Sequence, residues 1–150
     1  MNEVKQRARP IDILLVEDNP GDALMLREIL AEGKVLNVLH TVEDGVDALQ
    51  YLRGAGPYRG ATRPDLILLD LNLPRMNGRE CLEAIKSDPE LKRIPVIVLT
   101  TSRAEADIDA AYLRHAAAYI SKPVDLGDFD RVVRSIEQFW LTIVQLPPRG

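Results

Sequence analysis

The sequence predicts an α/β fold: a doubly wound parallel sheet of five strands, with five helices packed on its two faces. Three observations predict it. Short apolar runs rich in branched residues alternate with segments whose apolar residues recur at helical spacing. One run, Leu66-Ile67-Leu68-Leu69, is apolar throughout, the mark of a central strand covered on both sides. The chain has 150 residues, 46% of them hydrophobic and 28% charged, which suits one domain with a single core. Parallel neighbours need right-handed crossovers, so each intervening helix buries an apolar face against the sheet.

Taken in order, Ile11 to Val16 is a buried strand that stops at Glu17-Asp18 and feeds a helix start, with Asn19 as N-cap and Pro20 at the first helical position. Leu24, Met25, Ile29 and Leu30 mark that helix up to about Gly33, and Val35 to Val42 is the second strand. The second helix begins at Gly45, with Val46, Leu49 and Leu52 on one face. Gly54 to Pro64 is a long Gly/Pro loop. The third strand ends in Asp70, the third helix spans Gly78 to Ser87, and Pro95 to Thr100 is the fourth strand. Glu105 to His115 is the fourth helix, and Tyr119-Ile120-Ser121 is a short fifth strand halted by Lys122-Pro123. The fifth helix runs from about Leu126 toward Trp140.

Composition excludes several classes. The averages are those of globular proteins, not of disordered, collagen-like or membrane-spanning chains. No apolar run reaches the roughly 20 residues of a spanning helix, and the first ten residues offer no apolar core for a secretion signal. A cytoplasmic protein without a membrane partner is therefore expected. A net charge of −4 has the wrong sign for holding DNA by charge. The single Cys81 permits neither an internal disulfide nor a Cys-based zinc site.

In a doubly wound sheet ligands bind beyond the carboxyl ends of the strands. Those ends carry Glu17 and Asp18, Asp70, Thr100 and Lys122. Three carboxylates placed together repel one another unless a cation sits among them. Few carboxylates plus backbone oxygen and water suit Mg²⁺, which shares its shell readily with a phosphoryl group. One carboxylate can then serve as a nucleophile toward phosphorus, and Asp70, at the end of the most apolar strand, is the best placed. Lys122 would neutralise phosphoryl oxygens and Thr100 would hydrogen-bond another.

Together Glu17-Asp18, Asp70 within Leu69-Asp70-Leu71-Asn72-Leu73-Pro74-Arg75-Met76-Asn77-Gly78, Thr100 and Tyr119-Ile120-Ser121-Lys122-Pro123 resemble the receiver domain of two-component response regulators. The likeness covers about residues 11–140, with 1–10 as an N-terminal tail and 141–150 as an apolar C-terminal extension. It implies a flavodoxin-like sheet of strand order 2-1-3-4-5, and phosphoryl transfer from a histidine kinase to Asp70. It further implies Mg²⁺ held by Asp18, Asp70, the backbone carbonyl of Asn72 and, through water, Glu17. A cis Lys122–Pro123 peptide and a Thr100/Tyr119 switch pair are also implied. The switch would alter the surface of the fourth helix, fifth strand and fifth helix. Glu17 stands where many members have Asp, a charge-preserving departure.

Three segments, Val16 to Asp22, Leu99 to Ser102 and Ser135 to Val144, are similar to regulators that partner bacterial phytochrome kinases. A phytochrome-type histidine kinase is the partner implied. Only 27 residues follow Pro123, so output is expected through partner proteins and not through an attached DNA-binding domain.

Each of these residues taken singly has a blander reading, and the set has rival functions. A lone strand-end Asp is usually a cap, a lone Thr100 a strand residue, a lone Lys122 a solvated charge and a lone Tyr119 core; the ordered set carries the signal. Gly54 to Gly60 follows a helix and lacks the Lys-Ser/Thr of a phosphate cradle. His40 and His115 are isolated, and Cys81 lies with Leu82 and Ile85 as a small buried hydrophobe. A haloacid-dehalogenase-type phosphatase or phosphotransferase also uses a strand-end Asp with Mg²⁺, but would want a second Asp where Asn72 stands. A flavin binder lacks supporting aromatic and phosphate-loop features. Finally, Leu141 to Leu146 continues apolar past the point where the core is covered, which predicts a homodimer through the fifth helix and this arm.

Overall fold

The computed structural model describes residues 10–32, 36–101 and 116–135. Its elements are β1 (Ile11–Val16), α1 (Pro20–Glu32), β2 (Asn37–Val42), α2 (Gly45–Arg53), β3 (Leu66–Asp70), α3 (Gly78–Ser87), β4 (Val96–Thr100), β5 (Ala118–Ser121) and α4 (Leu126–Ser135). The strands form one sheet in the order β2-β1-β3-β4-β5, every pair parallel. This is the doubly wound arrangement that the apolar runs predict. The predicted fourth helix (105–115, with His115) and the apolar segment beyond Ser135 lie outside the described residues, so α4 is the helix counted fifth in the sequence.

Alternation along the strands divides the core between the two faces. Leu14, Val16, Ile67, Leu69, Val96 and Val98 pack with Ala48, Leu49 and Tyr51 of α2 and with Cys81, Leu82 and Ile85 of α3. Ile13, Leu15, Leu66, Leu68, Ile97 and Leu99 pack on the other side with Leu26 and Leu30 of α1 and Phe129 of α4. All five residues of β3 and of β4 are buried, as a central position requires. Each such Leu or Ile contributes about 1.5–3 kcal/mol through the apolar surface it removes from water, which makes these two strands the stiffest part of the sheet. Asp70 and Thr100 are their last residues.

Local signals account for the ends of the elements. Asn19 Oδ1 accepts the Asp22 N–H at 3.0 Å and Pro20 opens α1, so the predicted cap is present. Asp44 caps α2 by accepting the Asp47 N–H at 2.8 Å, and Gly54, at φ 62°, closes it in the left-handed conformation. Asn77 and Glu80 form a capping box at the start of α3.

The structure corrects several details. On α1 it is Leu26 and Leu30 that are buried, whereas Leu24 and Met25 are exposed, because the buried stripe runs one position away from the first pair. On α2 the fully buried residues are Ala48, Leu49 and Tyr51, with Val46 and Leu52 only half-buried. The predicted Gly/Pro loop holds a single 3-10 turn, Gly56–Tyr58, which sets the Tyr58 ring 5.5 Å from Tyr51. Tyr119, read alone as core, is 51% exposed. It lies on an edge strand where Ile120 is the one fully buried residue.

Candidate functional site

The strands run parallel, so the carboxyl ends of β1, β3, β4 and β5 lie along one edge of the sheet. Glu17 and Asp18 follow β1, Asp70 ends β3, Thr100 ends β4 and Lys122 follows β5. Oxygens of Glu17, Asp18 and Asp70 all lie within 4.8 Å of one another. Glu17 and Asp70 are buried and Asp18 is exposed, which leaves the cluster open on one side.

Lys122 holds this cluster together. Its Nζ donates to Glu17 Oε1 at 2.7 Å and to Asp70 Oδ2 at 2.9 Å, and it pairs with Asp22 Oδ2 at 2.9 Å. The Lys122 side chain is only 11% exposed and Glu17 and Asp70 are buried, so those two contacts are desolvated, whereas the Asp22 carboxylate is partly exposed. The Lys122 N–H also donates to the Thr100 carbonyl at 2.7 Å, which ties the loop to the end of β4. The Lys122–Pro123 peptide is cis, as the family resemblance implies.

Asp70 is held at both oxygens. The Asn72 N–H donates to Oδ1 at 2.9 Å while Lys122 occupies Oδ2. Glu17 has Lys122 on one oxygen and the Asn19 N–H, at 3.2 Å, on the other. Burial pushes the Glu17 carboxyl up to about 7; Lys122 pulls it down, and the neighbouring Asp70 adds to the rise. For Lys122, burial favours the neutral amine, but hydrogen bonds to Glu17, Asp22 and Asp70 outweigh it and hold its pKa above the ordinary lysine value. The ammonium is therefore fixed as a permanent charge.

Hard carboxylate oxygens this close, with one exposed side, fit a small divalent cation such as Mg²⁺ or Mn²⁺. Among the described residues no other group of three His, Cys, Asp or Glu side chains comes together in this way. His40 instead sets Nε2 3.1 Å from Asp12 Oδ1. Cys81 is fully buried, and burial above all, with the charge of Asp44 adding, pushes its thiol up to about 12.

The structure thus brings Glu17, Asp18, Asp70 and Lys122 into one cluster, with Thr100 buried on the adjacent strand end and Asn72 linked to Asp70 through its backbone. Tyr119 lies apart, exposed on β5. Two features escape sequence reasoning. Asp22 joins Lys122 from the first turn of α1, a contact foreshadowed only by its place just after the β1 acidic pair. Arg75 reaches Asp44 and Asp47, across a separation no local pattern reveals.

Comparison with known proteins completes the description. The response regulator receiver domain model matches residues 13–134. The response regulator Rcp1 of Synechocystis sp. is 46% identical over 138 residues, covering 92% of this chain and 94% of Rcp1. Its crystal structure in a Mn²⁺-bound form superposes with a TM-score of 0.73, covering 93% of this chain and 100% of that one. The phosphorylated cyanobacterial phytochrome response regulator RcpA is 50% identical, with a TM-score of 0.74 over 93% of this chain and 100% of RcpA. The bacteriophytochrome response regulator AtBRR is 36% identical, with a TM-score of 0.80 over 88% of this chain and 96% of its own.

Proposed function

The chain belongs to the response regulator receiver family, and from that premise we propose that it takes a phosphoryl group from a phytochrome-type histidine kinase onto Asp70. The observation that carries this reading is the state of the Asp70 carboxylate. It is buried at the end of a rigid strand, held by an N–H on one oxygen and by an ammonium on the other, beside two further carboxylates. The likeness to Rcp1, RcpA and AtBRR supports the phytochrome link, and the receiver match takes the place of the haloacid-dehalogenase-type alternative.

In the transfer, an Asp70 oxygen gives its electron pair to phosphorus as the bond from phosphorus to the kinase imidazole nitrogen breaks, and that pair returns to the ring. The product is an acyl phosphate. Lys122, released in part from Asp70, follows the new phosphoryl oxygens with its charge, while the Asn72 N–H keeps the carboxyl oriented. The Thr100 hydroxyl hydrogen-bonds a phosphoryl oxygen from the end of β4. Asp18, Asp70, the Asn72 carbonyl and, through water, Glu17 would hold Mg²⁺, which would neutralise part of the charge gathered there.

The chain acts as a signalling phosphoprotein, and attack of water on the acyl phosphate resets it. Its output is a changed surface formed by the predicted fourth helix (105–115), β5 and α4, with Thr100 and exposed Tyr119 as the switch pair. In this reading residues 11–140 are the receiver domain, working in the cytoplasm without binding DNA. The apolar segment Leu141 to Leu146 supports a homodimer as the working assembly. No helix among the described residues is long and apolar enough to cross a membrane.

The test is phosphorylation with Mg²⁺ by acetyl phosphate and by a purified phytochrome-type kinase, with the label mapped by mass spectrometry. Label on Asp70, absent from Asp70→Asn, is expected because an amide is a poor nucleophile. Undiminished label on Asp70→Asn, or none on the wild type from either donor, defeats the reading.

A further inference from the structure

The loop between β3 and α3, residues 71–77, leaves the Asp70 strand end and returns beside it, and three attachments set its shape. At its base the Gly78 N–H donates to the Leu71 carbonyl at 3.0 Å. On its flank the Gly45 N–H donates to the Met76 carbonyl at 3.3 Å, where the first residue of α2 packs directly on the loop. At its tip Arg75 Nε and Nη2 both donate to Asp44 Oδ2, at 2.7 and 2.6 Å, and Nη2 reaches Asp47 Oδ1 at 3.2 Å.

The third attachment is unusual in two respects. Arg75 has φ 59°, the only positive value outside glycine among the described residues, in a region that glycine or asparagine usually fills. A chain that accepts this conformation with an arginine gains something from the side chain. Its target is also unlike an ordinary surface partner. Asp44 is 8% exposed and is already committed through Oδ1 to capping α2, so the guanidinium engages a fixed, desolvated oxygen. Exposed ion pairs that order two flexible chains contribute little, but here only one chain has to be ordered.

Inside the same loop, the Asn72 N–H donates to Asp70 Oδ1. Anything that fixes the loop therefore fixes the Asn72 peptide against the acceptor carboxylate. We infer that Arg75 is a positioning residue for the phosphoacceptor site: by clasping Asp44 and Asp47 at the start of α2 it holds the 71–77 loop so that the Asn72 backbone keeps its place on Asp70. This inference rests on the reading of Asp70 and Asn72 proposed above, and it goes beyond that reading by assigning the loop's geometry to a side chain outside the carboxylate cluster.

The experiment compares the wild type with Arg75→Gly, Arg75→Lys and Asp44→Asn. Glycine accepts the φ of 59° without strain, so Arg75→Gly removes the guanidinium and spares the backbone conformation. Three quantities are read: hydrogen exchange of the Asn72 amide in metal-free protein, Mg²⁺ affinity by calorimetry, and the rate of labelling by acetyl phosphate. Groups that orient metal ligands from outside are worth roughly 10–100-fold in affinity, and at this remove about threefold to tenfold is expected for Arg75→Gly. Asn72 exchange should accelerate and labelling should slow along with it, while the protein stays folded at the assay temperature. Lysine, a point charge without the fork, should restore the losses only in part. Asp44→Asn should reproduce the effect, and the double variant should add little to either single one.

Wild-type Asn72 exchange and Mg²⁺ affinity in Arg75→Gly overturn the inference, as do losses that simply add in the double variant. Should Arg75→Gly not fold, Arg75→Lys and Asp44→Asn carry the same comparison. A wild-type protein that neither binds Mg²⁺ nor takes label overturns the reading of the site, and this inference with it. A competent wild type beside an unimpaired Arg75→Gly overturns the role of Arg75 alone.

Discussion

Gly78 opens α3 directly behind the acceptor strand, and replacing it with alanine tests how tightly the two are joined. An ideal Cβ there would stand 2.3 Å from the Asp70 carbonyl oxygen, 2.5 Å from Leu71 Cα and 3.0 Å from the Asp70 carbonyl carbon. These are backbone atoms, so no rotamer change relieves the clash; α3 and the end of β3 must move apart. Gly→Ala at an unstrained helical position usually stabilises by about 0.4–1 kcal/mol through the unfolded chain. Overpacking against atoms that cannot yield costs about 1–3 kcal/mol and sits at the upper end here. The clash wins, for a net loss of about 2 kcal/mol, or a melting temperature lower by about 4–8 °C at this chain length. Thermal unfolding followed by circular dichroism measures the loss, and acetyl phosphate labelling measures its effect on Asp70. Gly21→Ala is the control, because its added Cβ meets only the Asn19 side-chain oxygen, at 3.2 Å; its melting temperature should stay within about 2 °C of wild type. A Gly78→Ala protein as stable and as readily labelled as wild type would refute the close packing of α3 on the acceptor strand.

Two further predictions concern titrating groups. Cys81, fully buried with its thiol pushed up to about 12 chiefly by burial, should resist iodoacetamide in the native protein and react only as fast as the domain unfolds; native-state alkylation as rapid as that of a free thiol would contradict this. Burial pushes the Asp44 carboxyl up, but the Asp47 N–H and the Arg75 guanidinium outweigh it and hold it below the usual carboxylate range. A depressed folded-state value gives stability that is present above the unfolded value near about 4 and is lost as pH falls through the folded one. The stability gap between wild type and Asp44→Asn, from urea unfolding, should therefore be present at neutral pH and narrow as pH falls below about 4; a gap independent of pH would count against the assignment.

Much of this molecule is legible in its sequence because the strands speak in uninterrupted apolar runs. Leu66 to Leu69 names a central strand without ambiguity, and its terminal Asp70 then stands out as the charged residue that ends it. Cap chemistry is equally local: Asn19-Pro20 and Asn77 with Glu80 specify helix starts over three or four residues. Where burial depends on neighbours distant in sequence, local reading fails. Leu24 and Met25 have helical spacing but face outward, since the residues of α1 that join the sheet's core are Leu26 and Leu30. Tyr119 is aromatic within a strand pattern, yet β5 is an edge and leaves it exposed. The Arg75 contact joins positions 31 apart for Asp44, and only the folded chain brings them together.

The same distinction explains the electrostatics of the site. From sequence, Glu17, Asp18 and Asp70 are three repelling charges that call for a cation from outside. In the fold a first answer is internal: Lys122, carried in from 105 residues beyond Glu17, binds two of the three and recruits Asp22 as well. One ammonium cannot neutralise four carboxylates, so an imbalance of charge remains beside a Glu17 carboxyl that burial first, and Asp70 after it, pushes up to about 7. That imbalance is selective. In the proposed transfer a phosphoryl group would add negative charge to Asp70, and Lys122 turning toward it, with a divalent cation on the carboxylates that Lys122 leaves, would offset that charge. A site balanced in its resting state would gain nothing from the cation. Under the proposed function, one left short of positive charge would make acceptance of the phosphoryl group depend on cation, lysine and acceptor together, and would so couple a covalent change at Asp70 to the loops after β1, β3 and β5 at once.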